Sequence, residues 1–389
     1  MARVLIYSHD SFGLGHIRRC RTIAHALAEA FPKLKVLIVS GSPIIGSFDF
    51  KTRVDFVRVP SIIKLRNGDY VPLDQHGSIQ EMTALRSSLI DDAAEHFSPD
   101  FVIVDKEPLG LRGELEGTLD KLKSRGARLV LGLRDVMDDP HALAKEWARK
   151  RVAPALEELY DDIWVYGLKE IYDPLQGLPL TARVHAKTRF TGYLKRTKPS
   201  APAAALIPDL NRRILVTPGG GGDGEALIGW VLDAYETHRR SLPDALIVLG
   251  PFMRAEARTS FQARAASLGL PCRVFEPRME HLMADCHAVA SMGGYNTFCE
   301  ILSFDKRALI VPRHTPRFEQ TIRAEAAKRL GLAHMLSEPA DNARGDLETM
   351  AEALRALPSQ AQPSAHPIPG MLAGLDNIVA WSRPWLDAA

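Results

Sequence analysis

The sequence has little of what most often announces a function by itself. It contains four cysteines (Cys20, Cys272, Cys286 and Cys299), and none falls in a C-x-x-C pair. That spacing offers neither a zinc site nor a disulfide framework, and it fits a reducing compartment. No apolar run approaches the roughly 20 residues needed to span a bilayer. Met1–Ser8 runs directly into an apolar strand, without a basic segment and a long hydrophobic one, so no signal peptide is expected and a cytoplasmic protein is. Nor does one charge dominate. With 49 Lys+Arg against 47 Asp+Glu the net charge is +2, too small for a dedicated nucleic-acid binder. The basic residues do cluster locally, at Arg18, Arg19 and Arg21 and again from Arg183 through Lys187, Arg189, Lys195 and Arg196 to Lys198. A solvated face is the plain reading of such runs. The functional reading is contact with an anionic acceptor or, peripherally, an acidic lipid surface.

What is present is a long chain with the pattern of two α/β domains. Its 389 residues exceed one ordinary core. Short β-branched runs alternate with amphipathic stretches, as in parallel βαβ units. Strands are predicted at Val4–Ser8, Lys35–Ser40, Asp55–Pro60, Asp100–Asp105, Arg128–Arg134 and Ile163–Gly167. The pattern restarts at Ile214–Thr217, Ala245–Leu249, Arg273–Phe275, Ala288–Ser291 and Ala308–Val311. Helices are predicted near Glu225–Arg240, Arg254–Leu268, Met279–Cys286, Tyr295–Ser303 and Phe318–Leu330. A polar, proline-bearing linker lies between the halves, Lys195 to Pro202. The expected fold is two doubly wound, Rossmann-like domains facing a central cleft. The first spans residues 1–196 and the second 205–360, with a last helix at about 371–389 packing back on the first. In such sheets ligands bind beyond the carboxyl ends of the strands, so the loops after strands are where chemistry is sought.

Three of those loops carry glycine. After the first strand, Gly13-Leu14-Gly15-His16-Ile17-Arg18 enters a helix. Arg18 stands where a dinucleotide fingerprint needs its third glycine, and no acid ends the second strand, which disfavours NAD. His16 at a helix start is pushed toward its neutral form, suited to a general base or equally to capping the loop. Asp105, with Glu107 and Asp135 as rivals and Arg134 beside them, can support that histidine from neighbouring strand ends; each acid alone also suits helix capping or pairing with arginine. The long connection Ser61–Ser78, with Lys64, Arg66, Tyr70 and His76, reads as an acceptor-binding or lid segment.

In the second half, Gly219, Gly220, Gly221 and Gly222 follow a strand, but Glu225 and Ala226 occupy the lysine and hydroxyl positions of a P-loop, so an ATPase is disfavoured. The turn Gly293-Gly294 opens a helix that carries Asn296, Thr297 and Glu300, with Thr297 and Glu300 on one face. Glu319 and Gln320 follow the next strand, offering an acceptor and a donor side by side for sugar hydroxyls.

On these residues the chain resembles the GT-B glycosyltransferases, in particular the glycosyltransferase family 28 group that includes the lipid II pathway N-acetylglucosaminyltransferase and the plastid galactolipid synthases. The matching positions are Gly13, Gly15 and His16; Gly219–Gly222; Gly293, Gly294, Thr297 and Glu300; and Glu319 with Gln320. The layout matches along the whole chain, and most specifically from Phe275 to Gly331. The resemblance implies a nucleoside-diphosphate sugar as partner, with uracil the most common base. It implies that the glycine turns bind the diphosphate, Glu300 the ribose, Glu319 and Gln320 the sugar, and the backbone from Phe275 to Met279 the base. No Asp-x-Asp occurs in the sequence, so no metal and no other cofactor is expected. Leaving-group charge would fall to helix N-termini and backbone amides, with Arg254 as a helper. The expected reaction is an inverting transfer to an acceptor hydroxyl of a saccharide, lipid-linked sugar or small molecule. His16 would act as base and Asp105 as its support. An epimerase or hydrolase of the same fold, and a non-catalytic sugar-nucleotide-binding protein, are the rivals.

Overall fold

The computed structural model describes residues 1–9, 14–64, 70–72, 78–198, 207–220, 222–315, 317–337 and 346–387. Gly13, Gly221, Arg66, His76 and the linker from Pro199 lie outside the described residues, and Lys64 and Tyr70 are described in their backbone alone.

The chain divides into two compact units, Met1–Leu194 with Gly370–Ala389, and Lys195–Pro369. In the first, β1 (Arg3–Ser8), β2 (Lys35–Ser40) and β3 (Val54–Arg58) lead into a small antiparallel hairpin, β4 (Ile62–Lys64) with β5 (Tyr70–Pro72). Then follow β6 (Phe101–Asp105), β7 (Arg128–Arg134), β8 (Asp162–Tyr166) and β9 (Thr188–Phe190). Seven of these strands form one parallel sheet in the order β3-β2-β1-β6-β7-β8-β9. β6 and β8 are buried at every position, as expected where helices cover both faces of a parallel sheet.

The second unit repeats the plan with β10 (Ile214–Thr217), β11 (Ala245–Val248), β12 (Cys272–Arg273), β13 (Ala288–Ser291), β14 (Arg307–Ile310) and β15 (His334–Met335). They pair in parallel in the order β12-β11-β10-β13-β14-β15. Both sheets are doubly wound Rossmann-like α/β layers. In each, the strand order reverses beside the unit's first strand, between β1 and β6 and between β10 and β13, and such switch points are where open sheets bind ligands.

Most predicted strands lie within a residue or two of their observed positions. The strand predicted at Arg273–Phe275 is instead Cys272–Arg273, and β9, β15 and the hairpin inside Ser61–Ser78 carry no sequence signal. The final helix, Gly374–Leu386, belongs to the first unit. It packs on the helix Gly15–Ala30, burying Ile378 completely, and Trp381 meets Trp164 with ring centroids 6.0 Å apart.

Candidate functional site

In the first unit the switch point brings His16 and Asp105 into contact. His16 is the second residue of the helix Gly15–Ala30, and Asp105 ends the neighbouring strand β6. The helix buries Ile17, Cys20, Ile23, Ala24 and Leu27 against the sheet, and this stripe turns His16 toward the strand ends. His16 Nδ1 hydrogen-bonds Asp105 Oδ2. A carboxylate only accepts, so Nδ1 carries the proton and Nε2 keeps its lone pair. The imidazole remains 20% exposed while Asp105 is buried.

A third residue completes the cluster. Arg19, one turn along the same helix and 1% exposed, donates from Nε to Asp105 Oδ1 at 2.7 Å and from Nη2 to Oδ2 at 2.7 Å. The three arginines at 18, 19 and 21 are therefore not one solvated face. Arg18 and Arg21 are half-buried. Burial lowers the pKa of His16, outweighing the attraction of Asp105, and brings it down to about 4. Burial alone would raise that of Asp105, but the charges of Arg19 and His16 hold it well below the usual carboxylate range.

The other acids beyond this sheet have separate engagements. Glu107 accepts from Lys150 Nζ at 2.8 Å, and Asp135 from Tyr193 Oη at 2.9 Å. Neither contacts His16 directly in the way Asp105 does. Arg134, half-buried, ends β7 beside Asp135. Nearer to His16 is His9, at the end of β1, whose ring stands edge-on at 5.7 Å between centroids. Burial holds His9 neutral as well, against the pull of Glu107.

In the second unit the two glycine turns sit side by side at the switch point. Thr217 and Ser291 are in register as the last residues of β10 and β13. Each hydroxyl accepts the N–H two residues on, Gly219 N–H to Thr217 Oγ1 at 3.2 Å and Gly293 N–H to Ser291 Oγ at 3.3 Å. Gly293 has φ +72°, and a Cβ there would meet Ile310 Cγ2 at 2.6 Å, so only glycine suits the turn. Gly294, by contrast, has ordinary φ, caps the helix Tyr295–Ser303 without a side chain, and would point a Cβ into open space. A Cβ on Gly219 would reach Thr297 Oγ1 at 4.0 Å, which locates one glycine turn against the helix opened by the other. Gly220 beside it is half-buried, and Gly222 packs against the Phe252 carbonyl.

The remaining side chains are more buried than the sequence suggested. Glu300 is 1% exposed, Glu319 4% and Gln320 5%. Arg313, on the loop after β14, gathers several of them. Its Nη2 donates to Glu319 Oε1 at 2.8 Å and its Nη1 pairs with Asp223 of the first glycine loop. The Gln320 amide accepts from Arg313 Nη1 at 2.8 Å and donates to the Met292 carbonyl at 3.1 Å. Asn296 accepts from Arg196 Nη2 at 2.8 Å; Arg196 is buried, while Arg183, Arg189, Lys195 and Lys198 of the same basic run are exposed. Arg254 is exposed and donates from Nε to Glu225 at 2.7 Å. Phe275 and Met279 are half-buried, the latter opening a short helix after β12. Arg19, Arg196 and Arg313 were not singled out by sequence. Only Arg19 had a usable signal, its spacing of three from His16 on one helix face. Among the described residues there is no helix long and apolar enough to cross a membrane.

No protein-family model matches the chain, and no curated protein sequence matches it. In fold it is similar to the calicheamicin glycosyltransferase CalG4, at 15% identity over 100% of this chain and 98% of that one, with TM-score 0.58. MurG of Acinetobacter baumannii matches at 10% identity over 100% and 99%, with TM-score 0.55. A UDP-GlcNAc 2-epimerase from Neisseria meningitidis, bound to UDP-GlcNAc, matches at 16% identity over 99% and 100%, with TM-score 0.63. The chain therefore has the GT-B fold, two Rossmann-like domains, which glycosyltransferases and sugar-nucleotide epimerases share.

Proposed function

We propose that the protein is a glycosyltransferase that moves a sugar from a nucleoside-diphosphate sugar, a UDP-sugar, to an acceptor hydroxyl without a metal ion and with inversion. The observation that carries this reading is His16, neutral and hydrogen-bonded to the buried Asp105 at a sheet switch point. A transferase needs one group to take the acceptor's proton as the glycosidic bond forms, and a neutral imidazole whose Nε2 keeps its lone pair suits that role. In the second unit, the N–H groups opening the helix Tyr295–Ser303, with the two glycine turns, suit the diphosphate. Its departure leaves negative charge on the β-phosphate, which those amides and the helix dipole can meet. The open space that a Cβ would find at Gly294 supports a close approach of the phosphates there. Asn296, Thr297 and Glu300 line the same helix for the nucleoside, and Glu319 with Gln320 the sugar.

An epimerase or hydrolase is the second reading, favoured by the epimerase's TM-score of 0.63 against 0.58 and 0.55 for the two glycosyltransferases. Product analysis separates the two. Incubation with a panel of nucleotide sugars, with and without bacterial lipid extract or simple saccharide acceptors, should give a new glycoside only when an acceptor is present. Release of free sugar or an epimer without acceptor would favour the second reading. Consumption of none of the donors would reject both.

A further inference from the structure

The His16–Asp105 pair does not stand alone, and its third member changes what the pair can do. Asp105 offers two oxygens, and Arg19 reaches both, at 2.7 Å from Nε and 2.7 Å from Nη2. A guanidinium bound in this way holds a carboxylate's plane as well as its position. Only Oδ2 is shared with His16, and Arg19 Nη2 lies 3.1 Å from the imidazole Nδ1. Nη2 can only donate and Nδ1 already gives its proton to Asp105, so the two nitrogens share Oδ2 as donors and do not bond each other; a second proton would go to Nε2. The cluster sums to zero charge with His16 neutral and to +1 with His16 protonated. Since Arg19 and Asp105 are buried, 1% and 2% exposed in their side chains, the uncompensated positive state is the costly one.

We propose that Arg19 is a positioning residue for His16: it fixes Asp105 in the plane that meets Nδ1 and takes up part of the carboxylate's charge. The proposal rests on the reading of His16 as the base. Two consequences follow for that base. Its ring is held in one tautomer, with Nε2 always the accepting atom. Its proton affinity is also kept low, so the base stays free in mildly acid solution where an imidazole paired with a carboxylate alone would be charged. The other groups facing His16 are Lys106 from the end of β6 and His9 from the end of β1, with Glu107 and Lys150 beyond His9. Of the cations in that set, only Arg19 touches both His16 and Asp105 in the described contacts.

The test is an NMR titration of the full chain with labelled histidine nitrogens, comparing wild type, Arg19→Met and Arg19→Lys, together with turnover of the donor found active. Arg19→Met should raise the His16 midpoint by about one unit or more, roughly tenfold in proton affinity. Arg19→Lys keeps the charge and loses the fork, so its midpoint should stay near wild type while kcat falls about tenfold at unchanged donor KM. A folded Arg19→Met with an unmoved midpoint overturns the proposal, and so does Arg19→Lys with wild-type kcat. Should Arg19→Met fail to fold, the Arg19→Lys result decides. The titration is read without turnover, so it is distinguishable from a failure of the base reading, which would appear as full activity in His16→Ala.

Discussion

At the scale of single residues, the proposed function rests on one imidazole of the first unit, and the environment of that ring makes definite demands. His16 stays neutral as pH falls through the ordinary imidazole range near 6.5 and takes up its proton only at about 4. The acid limb of kcat/KM should therefore lie near pH 4 to 5, with the base fully available above it; a limb at 6.5 would show that burial does not govern this ring. Replacing His16 by Ala should lower transfer by about 10²–10⁴-fold while leaving nucleoside diphosphate affinity intact, since the base and the glycine turns belong to different units. Asp105 and His16 could be singled out by sequence because one ends a strand and the other opens the helix after a strand, places that any doubly wound sheet turns toward its switch point. Arg19 could not be read in the same way. An arginine near two others looks like surface, and only its pairing with Asp105 at the end of β6 shows that it is inside. Arg313 was hidden for a related reason, because its partners Asp223, Glu319 and Gln320 come together only through the sheet order β10-β13-β14.

At the scale of elements, the decisive parts are turns rather than helices or strands. The two glycines that open the helix Tyr295–Ser303 have different jobs. Gly293 is a folding requirement, with φ +72° and Ile310 filling the space a Cβ would need. Gly293→Ala should destabilise the second unit by about 1–3 kcal/mol in chemical denaturation. Gly294→Ala should leave stability within about 0.5 kcal/mol, because nothing lies within 4 Å of its Cβ. Strands such as Lys35–Ser40, Arg128–Arg134 and Ala288–Ser291 were legible because continuous apolar runs between turns leave few alternatives. β12 and β15, two residues each at the sheet margins, were not, since so short a pairing is decided by what lies beside it.

At the scale of the whole molecule, the chain's end returns to the unit in which it began. The helix Gly374–Leu386 lies against the helix that carries His16 and Arg19, with Ile378 fully buried and Arg383 over the ring of Phe31. Ile378→Ala should cost the first unit about 2–4 kcal/mol and lower its calorimetric transition, while the transition of the second unit stays in place. A single shared shift of both transitions would mean that the return segment braces the two units equally.

On the proposed function, the second sheet's switch point receives a nucleoside diphosphate at the opening of the helix Tyr295–Ser303. Calorimetric titration of uridine diphosphate into the wild-type protein and into Gly294→Val tests it most directly. Saturable one-site binding to the wild type is expected, with at least a tenfold loss in Gly294→Val at unchanged folding, because the added side chain would occupy the space proposed for the phosphate. Equal affinity in the two proteins would contradict it, as would the absence of binding to any nucleoside diphosphate.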